Sequence, residues 1–226
     1  TKAVIAGILT ARAGIAAVGL ATLFVLAGCA TAPPADDKEA VAAFNEANDP
    51  FEPLNRYFFE VNRGIDHLLL RPVSEIYRGV LPDHARNSVR SFINNLETPG
   101  ILMHDLMQGE TERAWESFGR LATNTAVGPL GLNDVAAGDS LKNPDAGIPF
   151  HDEDLGQTLA VWGMGSGPYL MLPVFGPSNV RDTIGLALNF YINPVNYLVP
   201  EKNRTNFAAA RTIIRGIDIR SRNIES

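Results

Sequence analysis

The stretch "GQTLAVWGMGSGPYLMLPVFGPSNVRD", Gly156 to Asp182, decides how this chain is read. Glycines stand at alternate positions 163, 165 and 167. A dinucleotide-binding loop needs G-x-G-x-x-G between a strand and a helix, because the helix N-terminus holds the pyrophosphate. Here the spacing is G-x-G-x-G, and Pro168 follows at once. Pro173 and Pro177 come next, so no helix can begin where the phosphate would sit. A Gly-Lys-Ser/Thr phosphate loop is also absent from the sequence. The three glycines are instead expected to supply positive φ angles and close backbone packing.

The stretch belongs to a longer region of changed character. Residues 128–185 are 58 positions that hold 10 of the 20 glycines and 6 of the 15 prolines. So long an irregular segment in a compact body tends to be functional. Hydrolase chemistry finds no signature in it. A nucleophile elbow requires G-x-S-x-G, and neither Ser166 nor Ser178 has glycines on both sides at that spacing. The four histidines, His67, His84, His104 and His151, are scattered. "HDED" at 151–154 resembles a metal cluster, but adjacent residues on a turn rarely converge on one ion, and no HExxH accompanies them. A solvated acidic loop is expected there, with no metal and no cofactor.

Downstream lies "TIGLALNFYINPVNYLVP", Thr183 to Pro200, without a charged residue. Asn189, Asn193 and Asn196 fall at i, i+4 and i+7, one face of a helix, with Phe190 among the apolar residues around the rest. Pro194 is expected to kink or divide that helix. Two readings stand on the residues alone. One is a buried core helix with hydrogen-bonded asparagines; the other is a lipid-embedded helix whose polar stripe faces a water-filled passage. The segment from Glu201 onward reads as basic and helical.

Upstream, the apolar periodicity of Leu54, Tyr57, Phe58, Val61, Ile65 and Leu68 predicts a helix that stops at Pro72. A second helix is expected from Pro82, with Ala85, Val89, Phe92, Ile93 and Leu96 as its apolar face and Thr98-Pro99-Gly100 as its end. A short apolar helical piece, "ILMHDLMQG", follows it. A further helix spans "ETERAWESFGRLATNTAVG", with Trp115, Phe118, Leu121 and Ala122 expected inward. No convincing run of alternating strands is visible.

The first residues complete the picture. Lys2 and Arg12 precede an uncharged run from Ala13 to Ala27, 15 residues long. That is short of the roughly 20 residues of a membrane span and fits the apolar region of a secretory signal peptide. It ends in Leu26-Ala27-Gly28-Cys29, which resembles the lipobox of bacterial lipoproteins. An ordinary signal peptide or signal anchor with a chance cysteine is the alternative. Cys29 is the only cysteine, so no intramolecular disulfide is possible. Residues 1–28 are expected to be a removed signal peptide, and 29–48, rich in Ala, Pro and acids, a lipidated flexible tether. Removing Lys2 and Arg12 from the 19 basic residues leaves 17 against 25 acidic ones, a formal charge of −8. That balance argues against a nucleic-acid partner.

Four stretches together resemble the MlaA (VacJ) family of outer-membrane phospholipid-binding lipoproteins of Gram-negative bacteria. They are "NDPFEPLNRYFFEVN", "RPVSEIYRGVLPDHARNSVRSFINNLETPGILMHDLMQG", "GRLATNTAVGPLGLNDVA" and the Gly156–Asp182 stretch. In the looser "GRLATNT", Leu121 stands where the family pattern has an aromatic. The resemblance runs from about Asn48 to Pro200.

It implies an all-α fold over 49–226: a membrane-embedded helical ring of amphipathic helices with a long Gly/Pro-rich irregular segment and a central amphipathic channel. It implies no enzyme. A phospholipid mislocalised to the outer leaflet would pass its headgroup through that channel. A soluble periplasmic carrier would then take it to an inner-membrane ABC transporter, and a trimeric porin would be the membrane partner. The chain would sit in the inner leaflet of the outer membrane, at its periplasmic face, anchored at Cys29. The Thr183–Pro200 segment, with Asn189 and Asn193 toward the channel, would pack into the leaflet, and Gly163, Gly165, Gly167, Pro168 and Tyr169 would form a channel rim. Arg181 and Asp182 would be an ion pair or a helix cap. The acidic helix and Asp-Pro-Tyr segment that usually continue the family are expected to be missing after Ser226. A lipoprotein adaptor and a membrane-anchored lipid hydrolase are the competing readings.

Overall fold

The computed structural model describes residues 33–138 and 147–224. Cys29 and the expected signal peptide lie outside the described residues. The chain divides into two compact units, one of Thr1–Arg63 with Ser166–Val180, the other of Gly64–Gly165 with Arg181–Ser226.

In the first unit, helix α1 spans Lys38–Ala47 and begins at Asp37, whose carboxylate accepts from the Ala40 N–H at 3.0 Å. This helix lies within the segment expected to be a flexible tether. Helix α2 spans Glu52–Ile65. Strands β1 (Tyr169–Leu172) and β2 (Gly176–Asn179) pair antiparallel, with Leu172 opposite Gly176. Pro173, Val174 and Phe175 make the turn, and Val174 adopts φ 72°. The hairpin was not expected from the sequence. Two four-residue strands, the second containing Pro177, are too short to show an alternating pattern.

In the second unit, a π-helical turn at Asp66–Leu70 leads into α3 (Arg71–Val80). The Arg71 N–H bonds the Asp66 carbonyl, five residues back. This wider turn carries the helix past Pro72, which therefore does not stop it. Helix α4 runs from Asp83 to Gln108, through Pro99. Beside that proline the Thr98 hydroxyl donates to the Asn94 carbonyl at 2.8 Å, a bond that often bends a helix without ending it. The helix ends at Gly109, φ +80°, so "ILMHDLMQG" is its last part rather than a separate piece. Gly100 is a packing glycine. A Cβ there would stand 2.9 Å from the Asn193 amide nitrogen.

Helix α5 spans Thr111–Ala126, α6 Leu155–Val161, α7 Val180–Ile192 and α8 Arg204–Arg222. Short 3₁₀ turns at Pro194–Leu198 and Glu201–Asn203 connect α7 to α8. The helix expected over Thr183–Pro200 is divided at Asn193–Pro194, where Pro194 was expected to kink or divide it. The Pro194 ring cannot continue the α-helical ladder, and the Asn193 side chain caps the new turn by accepting from the Val195 N–H at 3.0 Å. The described residues are mostly helical. No helix among them is long and apolar enough to cross a membrane.

Candidate functional site

The interior is polar. Among the described residues, fifteen buried side chains are polar or charged and seven are apolar. Twenty-nine large apolar side chains of the described residues are exposed, among them Leu68 at 84% and Trp115 at 74%. Single exposed leucines are ordinary on any protein, but buried polar groups in such a majority are not. Helix α5 illustrates the inversion. Its buried face is Ala114, Ser117, Arg120 and Asn124. Trp115 and Phe118 were expected inward but are exposed, stacked at 5.3 Å. Helix α4 likewise exposes Phe92 and buries Asn95, Thr98, His104 and Asp105 beside Ile93 and Ile101.

Each of these buried polar residues makes at least one hydrogen bond, while Asn95 Oδ1, Arg120 Nε, Asn196 Oδ1 and Asp218 Oδ1 are buried without a partner among the described residues. Arg120, 3% exposed, donates to both oxygens of Asp134 at 2.8 and 2.7 Å, and to the Ile148 carbonyl. Asn124 donates to Asp134 at 2.9 Å and accepts from the Ala136 N–H at 2.8 Å. These bonds pin the "GPLGLNDVA" loop to α5. His104 Nε2 lies 3.0 Å from the Asn189 amide oxygen, and its Nδ1 lies 3.1 Å from the Thr158 hydroxyl. Gln108 donates to Glu153 at 2.8 Å and to Thr158 at 3.2 Å.

"HDED" is consumed one residue at a time. His151 meets Asp105, Asp152 and Arg215 pair, Glu153 takes Arg113, and Asp154 caps α6 through the Gln157 N–H. This corrects the expected solvated loop, since Glu153 is buried. No cluster that could hold a metal occurs among the described residues.

Ser117, His151 and Asp105 bring together the residue types of a hydrolytic triad, but not its wiring. A triad needs the serine on one imidazole nitrogen and the carboxylate on the other. Here Asp105 and Ser117 both face the same nitrogen, Nε2, at 3.1 and 3.4 Å. The Ser117 hydroxyl donates to Asp105 at 2.7 Å, and Ser117 is 1% exposed. The hydroxyl proton goes to the acid, so the arrangement holds helices together rather than activating an attack.

The Gly156–Asp182 stretch resolves into separate parts. Gly163 ends α6 with φ +92°; its N–H bonds the Ala160 carbonyl at 2.9 Å and the Met164 N–H bonds Leu159 at 2.9 Å, a Schellman cap. Gly165 has no positive φ and nothing within 4 Å of a built Cβ, so neither reason for a glycine applies there. Gly167 has φ +70°, and a Cβ would lie 3.1 Å from Val180. Tyr169 opens β1, and the Pro168 carbonyl accepts from Val180.

The first unit joins the two most specific motifs. Asn55 of α2 donates to the Tyr169 carbonyl at 3.1 Å and accepts from the Met171 N–H at 2.8 Å. Asn62 repeats this with Leu172 and Val174, at 2.9 and 2.7 Å. Asn48 donates to the Gly167 carbonyl at 2.8 Å. Seven helical residues rise about 10.5 Å, and three strand residues advance roughly 10 Å, so the register matches. The asparagines thereby act as a neighbouring strand for the free edge of β1.

Of the downstream candidates, Asn189 is half-buried on α7 against His104, with Phe190 half-buried beside it. Asn193 and Asn196 are buried. Asn193 caps the 3₁₀ turn that begins at Pro194, and Asn196 donates to the Phe190 carbonyl at 2.8 Å. Arg181 and Asp182 form an ion pair at 2.9 Å. Sequence reasoning missed His104, Arg120, Asn124, Glu153 and Thr158. In α5 the signal was present as polar residues at helical spacing, Ser117, Arg120 and Asn124.

Charge at the α4–α8 seam follows its burial. Burial pushes the Glu97 carboxyl above its usual range, against the pull of Arg215 and Arg211. It also lowers Arg211 from the ordinary guanidinium value. The Arg220 hydrogen bond holds Asp66 below the usual carboxylate range.

A helical protein with polar bolts inside and apolar residues outside is thus defined by fold and site together. Residues 47–226 match the model of the MlaA lipoprotein family, and the chain belongs to that family. A protein of Rickettsia felis, uncharacterised, is 35% identical over 67% of this chain and 58% of its own length. The intermembrane phospholipid transport system lipoprotein MlaA of Escherichia coli (strain K12) is 34% identical over 64% of this chain and 57% of that protein. The lipoprotein of the same name from Haemophilus influenzae is 25% identical over 92% of this chain and 78% of its own. The chain thus spans less than two thirds of the length of the Rickettsia and Escherichia relatives. A structure solved for the structural basis of maintenance of bacterial outer membrane lipid asymmetry matches with a TM-score of 0.66 and 31% identity. That match covers 78% of this chain and 85% of the other.

Proposed function

We propose that this chain removes mislocalised phospholipid from the outer leaflet of the outer membrane and passes it toward the periplasm, keeping the two leaflets different. Its exposed apolar side chains sit among acyl chains of the inner leaflet. Its polar residues surround an amphipathic channel within a helical ring, through which a headgroup passes. Residues 49–226 form the working body, and acylated Cys29 is the anchor. A soluble periplasmic carrier feeding an inner-membrane ABC transporter takes the lipid onward, and a trimeric porin holds the chain in place. Asn189 and Phe190 are offered to the channel, with Gly163–Tyr169 at its rim. Asn193, Pro194 and Asn196 shape the turn that follows. The work is transfer, with no covalent step.

One observation carries this reading: the burial pattern is reversed, with apolar residues outside and polar ones within, in a member of a family that includes phospholipid-transport lipoproteins. Lipid is a better solvent than water for such a surface. Lipid extraction and mass spectrometry on protein purified in mild detergent, beside a Cys29→Ala control, test it. The expected result is phospholipid enriched over the bulk membrane and a lipid-modified Cys29. No lipid above the detergent background would overturn the reading in favour of an adaptor.

A further inference from the structure

A cavity of about 170 Å³ lies between α4 and α8, lined by Arg90, Arg215, Arg222 and Asp218 with Phe150 and Ile219 among its apolar wall residues. Arg90 and Arg222 share a single carboxylate oxygen, Asp218 Oδ2, at 3.1 and 2.9 Å. Arg215 is held by Glu97 and Asp152, and Arg211 also reaches Glu97. Four guanidiniums therefore meet three carboxylates along the seam. One positive charge is unmatched, in a chain whose formal net charge is −6. Arg222 Nε also donates to the Asp218 carbonyl at 3.4 Å, but a guanidinium presents five donors in a fixed fork, so these contacts leave donors of both Arg90 and Arg222 unused.

We propose that this cavity binds the phosphodiester of a glycerophospholipid, with Arg90 and Arg222 donating to its oxygens and Phe150 and Ile219 against its glycerol and first acyl carbons. A phosphodiester carries one negative charge at neutral pH, which equals the surplus. Its two non-bridging oxygens suit the guanidinium fork. The apolar wall separates this ligand from inorganic phosphate, which has nothing to place there. The inference rests on the lipid-handling reading above and adds to it a headgroup site.

The test is titration calorimetry on the full chain in mild detergent, with three separate probes: dihexanoyl phosphatidylglycerol below its micelle concentration, glycerophosphoglycerol, and inorganic phosphate. The short-chain lipid is expected to bind roughly tenfold or more tightly than inorganic phosphate, and Arg222→Gln to weaken it by roughly tenfold. Arg222→Lys keeps the charge without the fork and serves if the neutral variant does not fold; its affinity is expected to fall several-fold. Equal binding of inorganic phosphate and lipid, or affinity unchanged in Arg222→Lys and Arg222→Gln, would overturn the site.

The two readings fail separately. Lipid co-purifying with the wild type while Arg222 has no effect removes the site alone. Arg222-dependent binding of the diester without any co-purified lipid removes the transport reading alone.

Discussion

Asn55 accepts the Met171 N–H at 2.8 Å and so closes the exposed edge of a strand with a helix side chain. The same amide donates to the Tyr169 carbonyl and to Asp49, the latter at 2.6 Å. Asn55→Leu leaves these backbone groups without a partner, and about 1–3 kcal/mol is lost for a buried group so orphaned. Asn55→Asp is also expected to destabilise, because it keeps the acceptor, loses both donors and sets a carboxylate beside Asp49. Chemical denaturation followed by circular dichroism checks both variants. Stability equal to the wild type for both would contradict the clasp.

Asn189 and His104 make the corresponding pair in the second unit, 3.0 Å apart. An amide oxygen only accepts, so His104 Nε2 carries the proton. Asn189→Leu strands that donor in the interior and is expected to cost about 1–3 kcal/mol. The double variant with His104→Leu should recover part of the loss, since removing both partners is cheaper than removing one. Additive losses in a double-mutant cycle would show that the two do not act together.

Gly185 lies against α6, where a Cβ would stand 2.5 Å from the Gly156 nitrogen. Backbone cannot give way as a flexible side chain does. Gly185→Ala is expected to cost about 1–3 kcal/mol as overpacking. Gly165→Ala, with open space and an ordinary φ, should change stability by less than about 0.5 kcal/mol. Thermal melts of the two variants side by side decide this.

How much of this was legible in the sequence differs from element to element. Helices were read from apolar periodicity, and their existence follows from it. Which face turned inward was not legible. Periodicity locates a stripe, but only the surrounding solvent decides whether Trp115 or Arg120 is buried. Pro72 and Pro99 were misread as stops because a π turn and a threonine back-bond do not show in a list of breakers. The seven-residue spacing of Asn48, Asn55 and Asn62 was on the page, yet its meaning needed a strand 110 residues or more away. Alternate glycines were read correctly as backbone devices at 163 and 167, and not at 165.

Asp66 and Arg220 form two hydrogen bonds, at 2.7 and 3.0 Å. Arg220 lowers the folded-state pKa of Asp66, so the pair contributes stability above the unfolded value near 3.8 and loses it as pH falls through the folded value. Both groups are partly solvated, which limits the contribution to about 1 kcal/mol. Asp66→Asn should therefore be less stable than the wild type at neutral pH, and the gap should close in acid. A gap that does not narrow at all as pH falls below the unfolded value near 3.8 would contradict the assignment.

Trp115 tests the central claim, that the outer apolar face meets acyl chains. Only two tryptophans are present, so Trp162→Phe leaves Trp115 as the single reporter. The measurement is its fluorescence in vesicles of phospholipid brominated on the acyl chains, compared with quenching by aqueous iodide. The account predicts strong quenching by the bromolipid and little by iodide. Strong iodide quenching with none from the bromolipid would place this face in water and contradict the account.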